Sequence, residues 1–156
     1  MTRTILSIAI PTLFLVFSCN KINQESKNRN EGIYPEKTEK STLKPYENII
    51  SKNIGKYAYD IDLFNENDVL DRLQKLTGTI TLDEISKNFN VQTPIVSENN
   101  IYKLTGCLKN NCPAYMVTIL YDSSTDNFNV IINQNNKIIA FKEKETIYLT
   151  ETLKRK

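Results

Sequence analysis

The stretch Tyr115-Met116-Val117-Thr118-Ile119-Leu120-Tyr121 decides the fold of this 156-residue chain. Its side chains alternate with a period of two, which is the spacing of a β-strand. Both alternating sets are largely apolar, so we expect a central strand with both faces covered. After a polar turn over residues 122–127, Phe128, Val130 and Ile132 alternate with asparagines, which predicts a second strand with one solvent-exposed face. The alternating asparagines are Asn127, Asn129 and Asn133.

Helices are predicted on the N-terminal side of these strands. Asn65, followed three residues later by Asp68, indicates a helix start, and Gly78 is a fitting stop. The stretch Thr81-Leu82-Asp83-Glu84 matches a capping box and predicts a second, short helix that ends at about Asn88. Its inward-facing residues are expected to be Leu82, Ile85 and Phe89.

Shorter elements complete the domain. Strands are predicted over 101–105 and 137–141, with a turn at 134–136, while the tail over 145–153 fits either a strand or a helix. Strands joined by short turns form an antiparallel meander, and the helices precede it in the chain. The sequence therefore predicts a single α+β domain over residues 47–156, an antiparallel sheet with one or two short helices packed on it.

The N-terminal residues 1–18 have the pattern of a lipoprotein signal peptide. Arg3 precedes an apolar run over residues 5–17, which is too short to span a membrane. Ser18-Cys19 at its end resembles a bacterial lipobox, which implies that Cys19 begins the mature chain and carries a palmitate-type lipid anchor. An ordinary signal peptide with an incidental cysteine is the alternative.

Residues 19–46 are predicted to form the lipidated cysteine and a disordered tether. The segment is polar and has too few apolar residues to offset the entropy of ordering it. Docking of short pieces, such as 43–46, on the domain is the alternative. Because no acidic run follows Cys19, we expect a cell-envelope protein anchored to the outer membrane and facing the periplasm.

Composition excludes several classes of function. The chain has 20 Lys+Arg against 18 Asp+Glu, a balance that argues against a nucleic-acid partner. It has no histidine and only 4 glycines, which removes histidine-based catalysis, histidine metal ligands and glycine-rich phosphate loops. We therefore predict no enzyme activity, no cofactor and no metal. Residues 47–153 hold 10 basic and 14 acidic residues, and this net charge of −4 favours either a basic partner or a solvated acidic surface.

The loop Cys107-Leu108-Lys109-Asn110-Asn111-Cys112 is the feature with chemical content. In an exported chain whose Cys19 carries lipid, Cys107 and Cys112 are expected to form a disulfide. The loop would then be rigid and polar, with its ordering entropy already lost before a partner binds. A redox-active pair and a purely structural crosslink are the alternatives.

At this loop the chain resembles the periplasmic inhibitors of vertebrate lysozyme. The resemblance covers residues 68–133, including Tyr102 before Cys107, the four-residue cysteine spacing, and Val117 to Thr125 after the loop. It implies an α+β fold and a Cys-Lys-Pro-His-Asp-Cys loop that enters the lysozyme cleft. Here Asn110 stands where the family has histidine and Asn111 where it has aspartate. Leu108 and Lys109 replace the family's lysine and proline.

The resemblance implies that the protein binds and inhibits a lysozyme-type muramidase. The binding loop would comprise Leu108, Lys109, Asn110 and Asn111. The alternative, which the missing histidine motivates, is a structural or envelope-interaction lipoprotein of the same fold with no inhibitory activity and another envelope protein as its partner.

Overall fold

The computed structural model describes residues 44–65, 67–112 and 114–156. The predicted signal peptide, Cys19 and the tether up to residue 43 lie outside the described residues. Tyr46, at the end of the predicted tether, donates its backbone N–H to the carbonyl of Ser123 (2.8 Å). None of the described helices is long and apolar enough to cross a membrane.

The described chain forms one antiparallel sheet, with helices before and after it, which confirms the predicted α+β class. Strands β3 to β6 follow one another as a meander, and β1 and β2 both pair with the free edge of β3. The sequence predicted the meander but not β1 or β2, which are only two and three residues long. The six strands are β1 (Val91–Gln92), β2 (Val96–Glu98), β3 (Ile101–Cys107), β4 (Tyr115–Asp122), β5 (Asn127–Gln134) and β6 (Lys137–Lys142).

Pairs of asparagines make the two tightest hairpin turns. Asn99-Asn100 joins β2 to β3, and Asn135-Asn136 joins β5 to β6. All four residues have positive φ, between 52° and 65°, as a two-residue turn of type I′ requires. Asparagine tolerates this conformation better than most residues, so these turns fix the register of both hairpins.

Helix α1 spans Asp68–Thr77, and its cap differs from the predicted one. The side-chain oxygen of Asn67 accepts the N–H of Leu70 (2.9 Å), so Asn67 caps the helix and the predicted start at Asn65 is wrong by two residues. Asn65 instead donates its side-chain amide to Asp62. The helix ends at Gly78 as predicted, where φ is 83°.

Helix α2 spans Thr79–Asn88 and begins directly after the same glycine. The predicted capping box at Thr81 is wrong, because the N–H of Leu82 already donates to the carbonyl of Gly78 (3.0 Å) in the first helical turn. The predicted end at Asn88 is confirmed. The three residues predicted to face inward are buried: Leu82, Ile85 and Phe89.

Helices α1 and α2 pack on one face of the sheet, and the main core lies between these helices and the sheet. Gly106 in β3 permits this approach, because a Cβ atom there would lie 2.3 Å from Cγ of Phe89. Any side chain at position 106 would therefore push α2 off the sheet. The central strand β4 contributes four buried residues to this face: Tyr115, Val117, Ile119 and Tyr121.

The opposite face of the sheet is covered over part of its area, contrary to the predicted solvent-exposed face. Asn127 and Asn129 are both buried, because the chain after β6 runs across them. The carbonyl of Glu145 accepts from both side-chain amides (2.9 Å each). The side-chain oxygens of Asn127 and Asn129 in turn accept the N–H groups of Lys144 and Ile147. The side chains of the two asparagines thus make hydrogen bonds to the backbone of the covering segment, which a neighbouring strand would otherwise make.

The tail that fitted either a strand or a helix ends as helix α3, Glu151–Arg155. Thr150 caps α3 by accepting the N–H of Leu153, whose side chain is fully buried. The hydroxyl of Thr150 also contacts Glu98 in β2, and Lys103 in β3 donates to the carbonyl of Leu153 (2.8 Å). The segment 143–155 is therefore part of the folded domain.

Candidate functional site

The loop between β3 and β4 is closed by the predicted disulfide. Cys107 is the last residue of β3, and its sulfur is bonded to that of Cys112 across a Cα–Cα distance of 4.8 Å. Leu108 donates its N–H to the carbonyl of Tyr115 (3.2 Å), which extends the β3–β4 pairing by one step beyond the cysteine. The loop is therefore held at its base by a covalent bond and by the sheet.

Backbone hydrogen bonds within the loop fix its tip. The N–H of Asn111 donates to the carbonyl of Leu108 (2.9 Å), so residues 108–111 form a β-turn with Lys109 and Asn110 at its centre. Asn110 has a φ of 65°, in the left-handed region where Asn, Asp and His are enriched. The carbonyl of Asn111 then accepts from Ala114 and Tyr115, which leads the chain into β4.

The structure divides the four predicted loop residues into two kinds. Lys109, Asn110 and Asn111 are exposed, whereas Leu108 is half-buried and packs against the core. Lys109 forms no ion pair within the described part of the chain, so its charge is available to a partner. Leu108 is thus placed to anchor the loop, and the exposed tip presents one ammonium group and two amides.

A pocket of about 200 Å³ adjoins this loop. Leu108 and Asn111 form the wall on the loop side, and the other walls come from α2, the start of β4, and the end of β5 with the turn that follows it. Sequence reasoning singled out Leu108 and Asn111 but not the residues of the other walls, because those come from separate elements. The signals available in advance were the helical spacing of Glu84 and Asn88 and the position of Tyr115 just after the loop. The polar residues of the other walls are Glu84, Asn88, Tyr115, Gln134 and Asn135.

Tyr115 lies at the buried side of this pocket and is only 5% exposed. Its hydroxyl makes no hydrogen bond of normal geometry with any described residue, although the side-chain amide of Asn88 lies close to it. Burial, together with the negative charge of Glu84, raises the pKa of Tyr115 to about 12, while Asn88 acts in the opposite direction. The hydroxyl is therefore protonated at neutral pH and can both donate and accept a hydrogen bond.

The described residues contain no group of three or more Cys, Asp or Glu side chains that could hold a metal ion. The exposed loop and the adjoining pocket offer hydrogen-bonding groups and charge through their own side chains. Such a surface is suited to recognising another molecule.

Comparison with known proteins gives one match. No curated protein and no solved structure matches the chain. The family described as inhibitor of vertebrate lysozyme (Ivy) matches residues 68–155. This range is more than half of the chain; it runs from the start of α1 to the end of α3, and it contains the disulfide loop and the pocket residues. The chain therefore belongs to the family of inhibitors of vertebrate lysozyme.

Proposed function

We propose that this protein binds a lysozyme-type muramidase and inhibits it through the loop closed by Cys107 and Cys112. The observation that carries the proposal is the geometry of this loop in a chain of an inhibitor family. A covalently closed turn presents Lys109, Asn110 and Asn111 to solvent, while Leu108 holds it to the core. The protein acts in this proposal as a binding partner and carries out no reaction.

The chemistry of the target site fits the loop tip. Glycosidases of this kind use two carboxyl groups that flank the scissile bond. The ammonium group of Lys109 can pair with a carboxylate, and the side-chain amide of Asn110 can donate a hydrogen bond to another oxygen. A tip inserted between the two carboxyl groups would occupy the site of the sugar substrate.

The left-handed turn explains how asparagine can replace the family's histidine. Residue 110 has a φ of 65°, and asparagine and histidine are both among the few non-glycine residues enriched there. The backbone of the turn therefore suits both residue types. What changes is the charge, because an amide is neutral at every pH whereas imidazole gains a proton near pH 6.5. We expect Asn110 to contribute a weaker contact than a protonated histidine.

Preorganisation favours tight binding by this loop. The disulfide and the hydrogen bond between Asn111 and Leu108 fix the backbone before any partner arrives. Loops ordered only on binding lose conformational entropy at that moment, and this loss reduces affinity. A fixed loop avoids most of that cost.

We also propose that Cys19 anchors the protein by lipid to the outer membrane, with the domain in the periplasm. The support is the apolar run over residues 5–17 followed by Ser18-Cys19. Metabolic labelling with a palmitate analogue tests the anchor. Label should appear in the wild-type chain and disappear in Cys19→Ser, and equal labelling of both chains would contradict the proposal.

Inhibition is tested by titrating the purified protein into an assay of cell-wall lysis by egg-white lysozyme. Activity should fall at micromolar protein, and Lys109→Ala should shift the titration to higher concentration. Lys75→Ala is the matched control, because Lys75 is an exposed lysine on α1, outside the loop. Full lysozyme activity at micromolar wild-type protein would contradict the proposal for this enzyme.

A further inference from the structure

The pocket beside the disulfide loop has the composition of a binding site. Its volume of about 200 Å³ is that of a niche for one side chain or a small molecule. Asn111 lies both in the exposed loop and in the pocket wall, so the pocket opens next to the loop tip. A macromolecule seated on the tip would therefore cover the pocket as well.

The hydroxyl of Tyr115 is the first observation that points to a ligand. The residue is 95% buried, and its hydroxyl makes no hydrogen bond of normal geometry with any described residue, although the side-chain amide of Asn88 lies close enough to act on it. A buried polar group without a partner costs stability, and phenylalanine would fill the same space without that cost. A hydroxyl at the wall of a polar pocket is explained if a ligand completes its hydrogen bonding.

The second observation is that the carboxylate of Glu84, in the pocket wall, lacks a cationic partner among the described residues. It forms no ion pair with any described residue, whereas its neighbour Asp83 pairs with Lys87 at 2.6 Å. Glu84 and Asn88 are one helical turn apart, so both face the same side of α2. The pocket therefore offers one carboxylate, which can only accept hydrogen bonds, together with side-chain amides whose oxygens can also accept.

We propose that this pocket receives an arginine side chain from the surface of the bound muramidase, as a second contact beside the loop tip. This inference rests on the proposed function for the identity of the partner. A guanidinium group carries five N–H donors in one plane and no acceptor. Glu84 can accept two of them, and the Tyr115 hydroxyl and an amide oxygen can accept others. Glu84 is exposed to solvent, and its carboxylate disfavours an anion and gives a cation a charge-assisted contact that a neutral ligand lacks.

The first test uses a small probe and does not depend on lysozyme. N-acetyl-arginine amide is titrated into the purified protein while NMR follows the side-chain amide signals of Asn88 and Gln134. These signals should shift with saturation, and Glu84→Gln should abolish the shift. N-acetyl-citrulline amide is the matched control ligand, because it has nearly the same shape without the charge. Absent shifts, or equal shifts with both ligands, would overturn the proposal.

The second test compares variants in the lysis assay. Glu84→Gln should raise the inhibition constant roughly three- to ten-fold. Asp83→Asn removes the same charge from the same helix outside the pocket and should leave the constant within about two-fold. Equal effects of the two variants would show only a long-range influence of charge and would count against a pocket contact.

Tyr115→Phe tests whether the hydroxyl contacts the ligand or serves only the stability of the fold. The variant should unfold at the same or a higher temperature while its inhibition constant rises. A raised melting temperature with unchanged inhibition would mean that only solvent fills the pocket, and the proposal would fail. If the wild-type protein does not inhibit lysozyme at all, the proposed function fails, and the arginine titration still decides whether the pocket binds a guanidinium group.

Discussion

Arg72 and Asp126 join helix α1 to the turn between β4 and β5, with Nη1 2.7 Å from Oδ1. The same guanidinium donates to both carboxylate oxygens of Glu143, just after β6, at 3.0 and 2.6 Å. It also lies over the ring of Phe128, 4.6 Å from the ring centre. One partly buried side chain therefore holds the first helix, a turn and the end of the last strand together.

Arg72→Ala should lower the free energy of unfolding by about 2–3 kcal/mol. The change leaves two carboxylates close together without their cation and removes the contact with Phe128. Urea denaturation followed by circular dichroism measures the loss. The control is Lys87→Ala, whose exposed pair with Asp83 should contribute no more than about 0.5 kcal/mol. Equal losses in the two variants would show that the Arg72 contacts add nothing to an ordinary surface pair.

Protonation of Asp126 should account for part of the decrease in the free energy of unfolding in acid. Burial acts to raise the pKa of this carboxyl, but the hydrogen bonds and charge of Arg72, with the hydroxyl of Tyr121, outweigh it and lower the pKa below its usual range. A lowered pKa in the folded state stabilises the fold above the unfolded value of about 3.9. This stabilisation is lost as the pH falls through the folded value.

Asp126→Asn removes this negative charge and keeps the shape of the side chain, so it tests how much the charge contributes to acid sensitivity. Asp126 has a φ of 50°, and asparagine tolerates that conformation, so the turn should be preserved. Unfolding measured from pH 7 down to pH 2 should depend less steeply on pH below about 4 in the variant. Parallel curves for the two proteins would assign the acid sensitivity to other carboxyl groups.

Lys109→Ala should weaken muramidase binding by about 1–3 kcal/mol, because a charge-assisted contact at the loop tip is removed. The affinity of the variant should also depend less on salt concentration than that of the wild type. Isothermal titration calorimetry at several salt concentrations measures both effects. Lys75→Ala should change neither. A wild-type affinity that does not vary with salt would argue against an ionic contact by Lys109.

Asn110→His should strengthen inhibition, most clearly near or below pH 6.5, where imidazole is protonated. The left-handed turn accepts histidine, so the backbone should keep its conformation. Inhibition constants measured between pH 5 and pH 8 give the result. Unchanged or weaker inhibition over this range would remove Asn110 from the proposed contact.

The double change Cys107→Ser, Cys112→Ser should reduce affinity and leave the sheet folded. A crosslink over so few residues contributes only about 2 kcal/mol to stability through chain entropy. The loop would lose its preorganisation, which lowers affinity even though neither sulfur contacts the partner in this proposal. Circular dichroism and the lysis assay separate the two effects. A collapsed sheet, or undiminished inhibition, would contradict this role of the disulfide.

The meander could be predicted because its signals are local. The period of two in residues 115–121 and the Asn135-Asn136 turn are read from neighbouring residues, and local geometry fixes both. The end of α1 at Gly78 is another local signal. The start of α1 was misplaced because Asn65 and Asn67 are both good caps, and only contacts with residues 62 and 63 decide between them.

Features made by distant residues could not be predicted. Asn127 and Asn129 have the pattern of an exposed face, and nothing near them in the sequence indicates that residues 144–147 will cover them. The pocket likewise joins Glu84 to Tyr115, which are separated in the chain by the first three strands. The disulfide was predicted, but the inward position of Leu108 was not, because its packing depends on the core.

The segment 143–155, which covers part of one sheet face, is the last part of the domain to be synthesised. All six strands precede this segment in the chain. A growing or exported chain can therefore pair the strands before residues 143–155 are present to cover the second face of the sheet. During that interval Leu120, fully buried in the finished domain, faces solvent together with two unpaired asparagine amides. Exposed apolar side chains and unpaired polar groups on an incomplete fold of this kind favour aggregation. The nascent protein would then be most vulnerable in the last moments before its C-terminal helix arrives.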